Sequence, residues 1–326
     1  MSSSSPVEKT RRAPPSGGRP QTAGPGFADY GLLGLLGAFW GLSFILIKVG
    51  VAEVPPFTLT AVRLTAAAAV MALVLAFTRG AGRLTARGWR LALISAVMGN
   101  VVPFTLIAYG QQVVDAGVAA IVLGVMPLTT LGLAHVFIPG EQLNWPKTFG
   151  LAAGIAAIVT LVGPQSLLGL GAQASSQLLI ALAAVCYGAN AIVTRRMLDQ
   201  SPAIALSCAI MAIAALVMWP VAVAVEGVPT ALPGPVASAA ILTLGALQTG
   251  FGQLLLLMLV ARQGASFFSQ INFIVPVVGV FWASILLSEQ LSTASWAALG
   301  LILLGLAVAR SGQRSGKLRP DQSPGR

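Results

Sequence analysis

The sequence predicts an all-α integral membrane protein: ten transmembrane helices in two inverted five-helix repeats. Three observations carry that reading. The first is composition. Of 326 residues, 56% are hydrophobic and 9% charged, and the mean hydropathy is +0.86, where a soluble chain carries about 25% charged residues. Most of the surface therefore has to face lipid, and a large soluble helical protein would need polar helix faces that are missing here. The second is run length: the apolar segments are continuous and about 20 residues long, as spanning helices require, not the alternating ten-residue segments of a barrel. The third is internal repetition. WGLSFILIKVGVAEVP (40–55) returns as YGANAIVTRRMLDQSP (187–202), matching an aromatic-Gly pair, a small polar residue, a base and a proline at a constant offset of 147.

Taken in order, the expected spans are 30–50, 57–78, 89–109, 117–138, 146–163, 177–197, 203–225, 236–260, 265–287 and 294–310. Turn chemistry separates them at Pro55-Pro56, Gly80–Gly88, Pro139-Gly140, Gly163-Pro164 and Pro229–Pro235. The expected organisation is a disordered tail (1–28), a first repeat (29–163), a linker (164–176), a second repeat (177–310) and a second tail (311–326). The first 28 residues have no apolar core, so no cleavable signal peptide is expected. Cys186 and Cys208 fall inside apolar segments and read as small hydrophobes.

Charge sets the expected orientation. With the amino terminus in the cytoplasm, 17 of the 19 Lys and Arg residues fall on the inner side; only Lys48 and Arg63 fall on the outer. The net charge of +10 thus reflects membrane topology and not a nucleic-acid surface. Five spans per half is an odd number, so the second half lies upside down relative to the first. The repeat continues beyond its opening stretch: Pro127 matches Pro276 at an offset of 149, and Glu141 matches Glu289 at 148. Inverted repeats with a site near the midplane are the architecture of many secondary transporters.

Ionisable residues near spans are costly and mark function by default. Lys48 and Glu289 are expected near the outer surface, and their repeat mates Arg195 and Glu141 near the inner. The pattern suggests two gate pairs, Lys48–Glu289 and Arg195–Glu141, favoured alternately; snorkelling bases and water-exposed glutamates are the plainer alternative. Arg63 lies one to two turns into the second span. A structural ion pair with Glu53, Asp115 or Glu289 is favoured there over contact with a solute. His135 reads as structural rather than as a proton relay.

Polar and aromatic residues inside spans are the candidate cavity lining: Trp40, Ser43, Asn100, Tyr187, Asn190, Gln248, Gln270 and Asn272, with interhelical packing as the alternative for each. Pro127 and Pro276 are expected helix kinks, serving as hinges or as shape. Gly31, Gly34, Gly37 and Gly41 are spaced to admit a neighbouring helix. The sequence carries no HExxH, CxxC, phosphate-cradling loop or nucleophile elbow, so no catalytic residue, metal or cofactor is expected.

These residues carry a family resemblance. WGLSFILIKVG followed by PPFTLTAVR, and in each half a Pro-centred fourth helix, a Glu-Gln-Leu turn and a small-residue-rich fifth helix (PGEQLNWPKTFG; SEQLSTASWAALG), resemble the EamA-type repeats of the drug/metabolite transporter superfamily over about residues 30–310. The resemblance implies ten helices, cytoplasmic termini, a central cavity built from both halves, and export of small metabolites such as amino acids or of drug-like compounds. The second half departs from the pattern: Tyr187 stands for Trp, Arg195 for Lys and Ile210 for Arg63. The expected setting is a bacterial inner membrane, with a small-molecule solute and the bilayer as partners. No nucleic acid is expected; protons are the candidate coupling ion, and the assembly is a monomer or homodimer. A membrane-embedded lipid-modifying enzyme or a scaffold is the alternative reading.

Overall fold

The computed structural model describes residues 25–78, 82–163, 171–197 and 201–315. Its helices are α1 (Phe27–Val51), α2 (Pro56–Phe77), α3 (Ala86–Val113), α4 (Ala116–Phe137), α5 (Trp145–Val162), α6 (Ala172–Met197), α7 (Ala203–Glu226), α8 (Pro235–Phe268), α9 (Ile271–Leu286) and α10 (Thr293–Ser315). Among the described residues, nine are long and apolar enough to cross a bilayer, and α9 is a tenth, shorter apolar helix. The α8–α9 corner falls between the expected spans 236–260 and 265–287, and the departure from them is a step inside the second. Gly264 adopts φ 80° and ψ 168°, so the chain turns there. Residues 265–268 already belong to the next crossing, which then steps at Ser269–Gln270 before α9 continues.

Local chemistry explains the ends. The Thr85 hydroxyl accepts the Gly88 N–H at 2.9 Å and the Asn144 amide oxygen accepts Lys147 N–H at 3.2 Å, each capping a helix start. Two ends depart from expectation: α6 begins at Ala172, inside the expected linker, and α10 runs to Ser315, past the expected start of the tail. The tails at 1–24 and 316–326, and Arg79, lie outside the described residues.

Packing repeats under exchange of the halves. Helix α1 lies against α9 as α6 lies against α4; α1 meets α8 as α6 meets α3; α2 meets α8 as α7 meets α3; α2 pairs with α7, and α5 with α10. The two copies run in opposite directions. Lys48, near the end of α1, bonds Val114 just past the end of α3, whereas Arg87, at the start of α3, bonds Arg196 at the end of α6. We call the two ends of the bundle the Lys48 end and the Arg195 end.

Glycines set the closest approaches. A Cβ on Gly41 would lie 2.8 Å from Val278 and 2.9 Å from the backbone nitrogen of Gly279. Its repeat mate Gly188 meets Thr129 and Thr130 in the same way. Gly37 also takes a neighbour, Ile274, but Gly31 and Gly34 have nothing within 4 Å and form no helix interface, contrary to expectation. Large apolar side chains cover the outside of the bundle, Phe77, Trp89, Trp145, Leu216 and Trp296 among them. That is the surface a lipid solvent requires.

Candidate functional site

Both third helices of the repeats carry a π-helical segment, residues 97–101 in α3 and 244–251 in α8. Each is closed by the same device. Asn100 Nδ2 donates to the Ser95 carbonyl at 3.0 Å, and Thr249 Oγ1 donates to the Leu244 carbonyl at 2.9 Å, donor and acceptor both displaced by 149 residues. Such bulges shift the backbone bonding register and recur at functional sites. The repeat mate of Asn100 is therefore Thr249 rather than Gln248.

The predicted polar residues converge on these segments. Trp40 Nε1–H donates to the Gln248 carbonyl at 3.2 Å, and the ring stands edge-on to Phe268 at 6.0 Å. Arg63 Nε–H donates to Thr249 Oγ1 at 2.9 Å, and its guanidinium lies 3.5 Å over the ring of Phe104. Phe104 in turn meets Tyr187 edge-on at 6.5 Å. Asn190 packs on Gly99 beside Asn100. Two of these amides are underused: Gln248 Oε1 and Asn190 Oδ1 are buried without a hydrogen-bond partner. Helices α1, α2, α3, α6 and α8 thus bring Trp40, Arg63, Asn100, Tyr187, Asn190 and Gln248 into one region shared by both halves. Ser43 instead bonds its own helix, to the Phe39 carbonyl at 3.3 Å. Gln270 and Asn272 lie at the start of α9; Gln270 lines an open cavity of about 300 Å³ with Phe273, Ala307, Arg310 and Ser311.

The structure corrects the expectation for Arg63. It is 93% buried, and none of the ion pairs among the described residues includes it. The glutamates of that end are already engaged. Glu53 accepts the Gly234 N–H at 2.6 Å; Glu226 accepts the backbone N–H groups of Phe57 and Thr58 at 2.9 and 2.7 Å and the Thr58 hydroxyl at 2.7 Å. Glu289 accepts Ala116 N–H and Gly117 N–H, both at 2.8 Å. Each carboxylate caps a helix whose own N-cap supplies no side-chain bond: Gly234 before α8, Pro55 before α2, Asp115 before α4. The positive helix N-terminus favours that placement. Glu226 has no place in the sequence reading; its signal is the Pro55-Pro56 start of α2, which needs a borrowed cap.

Of the two expected charge pairs, one is present as an ion pair. Arg195 Nη1 lies 2.8 Å from Glu141 Oε1, and Lys147 Nζ 3.4 Å from Oε2. The hydrogen bond from Arg195, helped by the charges of Arg195 and Lys147, outweighs partial burial and holds the Glu141 carboxyl below its ordinary range. His135 Nδ1 lies 3.2 Å from the Glu141 carbonyl and 3.3 Å from Leu143 N, inside the same turn. Lys48 and Glu289 are not joined. Lys48 Nζ donates to the carbonyls of Gln111 at 3.1 Å and Val114 at 2.9 Å, so base and carboxylate grip opposite sides of the α3–α4 corner. Gln111, absent from the sequence reading, is fully buried and donates to the Phe44 carbonyl at 2.9 Å.

The prolines act differently in the two halves. Pro127 lies in the first helical turn after a break at Gly124–Val125, where a missing N–H costs nothing, whereas Pro276 sits inside α9. Pro276 packs on Gly124, so the break in α4 faces the proline of α9.

The model of the EamA-like transporter family matches residues 30–163 and again 174–311. The chain belongs to the EamA-like transporter family. It is therefore a multi-pass membrane transporter. Three relatives cover 80% to 90% of this chain. An uncharacterized inner membrane transporter, YedA of Escherichia coli K12, is 28% identical over 309 residues, covering 90% of this chain and 94% of its own. YoaV of Bacillus subtilis 168, an uncharacterized transporter, is 24% identical over 80% of this chain and 90% of its own. A probable terminal-alkyne amino-acid exporter of Streptantibioticus cattleyicolor is 26% identical over 88% and 94%. A solved crystal structure, described only as that of a protein, superposes with a TM-score of 0.62 at 21% identity, covering 89% of this chain and 99% of that one, and supports the fold.

Proposed function

We propose that this EamA-like protein is a secondary exporter of small amphipathic metabolites, amino acids foremost, working by alternating access in a bacterial inner membrane with both termini cytoplasmic. The observation that carries the mechanism is a broken symmetry. Repeat symmetry maps Lys48 onto Arg195, Glu289 onto Glu141, and the α3–α4 corner (Val114, Ala116, Gly117) onto the α8–α9 corner (Gln263, Ala265, Ser266). At one end base and carboxylate hold the corner; at the other they hold each other. Exchanging these arrangements gives the opposite state: Lys48 meets Glu289, while Arg195 and Glu141 release each other and engage Gln263–Ser266. Two conformations of similar energy, related by the pseudo-twofold, are what alternating access needs.

The charge distribution supports placing the Lys48 end outside. The name of the amino-acid exporter among the relatives favours amino acids as first candidates. Trp40, Tyr187, Asn190 and Gln248 line the pathway in this reading, Asn272 lies at its inner end, protons or the solute gradient drive the cycle, and the unit is a monomer or homodimer without enzymatic chemistry. Counterflow of labelled amino acids into proteoliposomes tests the reading. Glu141→Arg and Arg195→Glu should each impair exchange and the double reversal should restore part of it. A double reversal no better than the single ones would remove that gate; exchange persisting in Trp40→Ala and Asn272→Ala would remove the pathway.

A further inference from the structure

Arg63 is a buried cation that no carboxylate among the described residues neutralises. Its single hydrogen bond among the described residues runs from Nε to the Thr249 hydroxyl, and Phe104 covers one face of the guanidinium. A guanidinium carries five N–H donors in a planar fork, so four find no acceptor among the described residues. A cation buried in a membrane protein is costly unless an anion answers it. Glu53, Glu226 and Glu289 are bound to helix N-termini, and Asp115 is exposed at the start of α4. The position is also fixed: a Cβ on Gly245 would lie 2.5 Å from the Arg63 carbonyl, so α2 rests directly on the π segment of α8. One residue from Thr249, Gln248 is 98% buried with its amide oxygen unpartnered, and Trp40 bonds the carbonyl of that same residue.

We propose that Arg63 is the receptor for a carboxylate on the transported solute, with Gln248 Oε1 as the acceptor for its amino group. The substrates are then small carboxylic acids, and α-amino acids above all. The proposal rests on the transport reading above and narrows it. The planar fork matches a carboxylate bidentately, and Phe104, Tyr187 and Trp40 supply an apolar wall. The second repeat has Ile210 where the first has Arg63, so the site is single although the fold is doubled.

The test uses the full chain in proteoliposomes, with counterflow of the labelled proteinogenic amino acids, lactate and pyruvate against the corresponding amino-acid amides and a cationic dye. The expected result is exchange of at least one acid and not of its amide. Arg63→Gln should raise KM for that acid roughly 10- to 100-fold, the loss of a charge-assisted hydrogen-bonded pair. Arg63→Lys, which keeps charge but not the fork, should raise it less and decides the matter if Arg63→Gln does not fold. Exchange of amides or dye but of no acid leaves the transport reading standing and overturns this proposal. An unchanged acid KM in Arg63→Gln, or in Arg63→Lys when only that variant folds, overturns it as well. No exchange with any probe removes the transport reading for these solutes and the proposal with it.

Discussion

Replacing Glu289 should release the start of α4. Its carboxylate accepts two backbone N–H groups at 2.8 Å, and Asp115 makes no capping bond of its own. A hydrogen bond to a charged group contributes about 1.5–3 kcal/mol net, and a carboxylate at a helix N-terminus about 0.3–1 kcal/mol more. Glu289→Gln keeps one acceptor oxygen and loses the charge and the second acceptor. Because Glu289 is half-exposed, water replaces part of what is lost, and the expected destabilisation is about 1–2 kcal/mol. Glu289→Ala removes both acceptors while Ala116 remains fully buried, and the loss should reach about 2–4 kcal/mol. Amide hydrogen exchange in detergent micelles reads this directly. Protection at Ala116 and Gly117 should fall roughly 5- to 30-fold in Glu289→Gln and further in Glu289→Ala, since 1.4 kcal/mol is about tenfold. Unchanged protection of both amides in Glu289→Ala would refute the capping argument.

Other outcomes follow from single contacts. The folded Glu141 carboxyl titrates below its unfolded value of 4.5; the stabilisation is therefore present above that value and is lost as pH falls through the lower folded one. The stability difference between wild type and Glu141→Gln should be flat at neutral pH and disappear in acid, measured by thermal unfolding across pH. Gly41→Ala should destabilise by about 1–3 kcal/mol, because its Cβ meets the α9 backbone, whereas Gly34→Ala should be neutral or stabilise by up to about 1 kcal/mol. Detergent unfolding of the two variants compares them. Lys48→Met removes both carbonyl bonds at the α3–α4 corner and should raise exchange at Val114 and Ala116 without touching the α8–α9 corner. Trp40→Phe loses the bond to the Gln248 carbonyl and should cost about 0.5–1.5 kcal/mol in the same unfolding assay.

Hydropathy, charge and repetition were sufficient for the membrane class, the two halves and their inversion, because each depends on the order of residues along the chain. The sequence likewise placed Glu141 opposite Arg195, since repeat symmetry and the topology put both at one end. It did not reveal which partners the other charges choose. Glu289 and Glu226 go to helix N-termini because α4 and α2 begin without a side-chain cap, and only the packed bundle brings those starts within 3 Å of carboxylates from distant helices. The α8–α9 corner was legible, since the break expected between 260 and 265 is where Gly264 turns the chain at positive φ; the step at Ser269–Gln270 beyond it came only from structure. The π segments came only from structure, as a shift in backbone bonding leaves no hydropathy signal. Arg63 shows the division most clearly. The sequence marked it as too deep for a loop charge; only the tertiary structure shows Glu53, Glu226 and Glu289 engaged at helix N-termini, so that no ion pair among the described residues includes it.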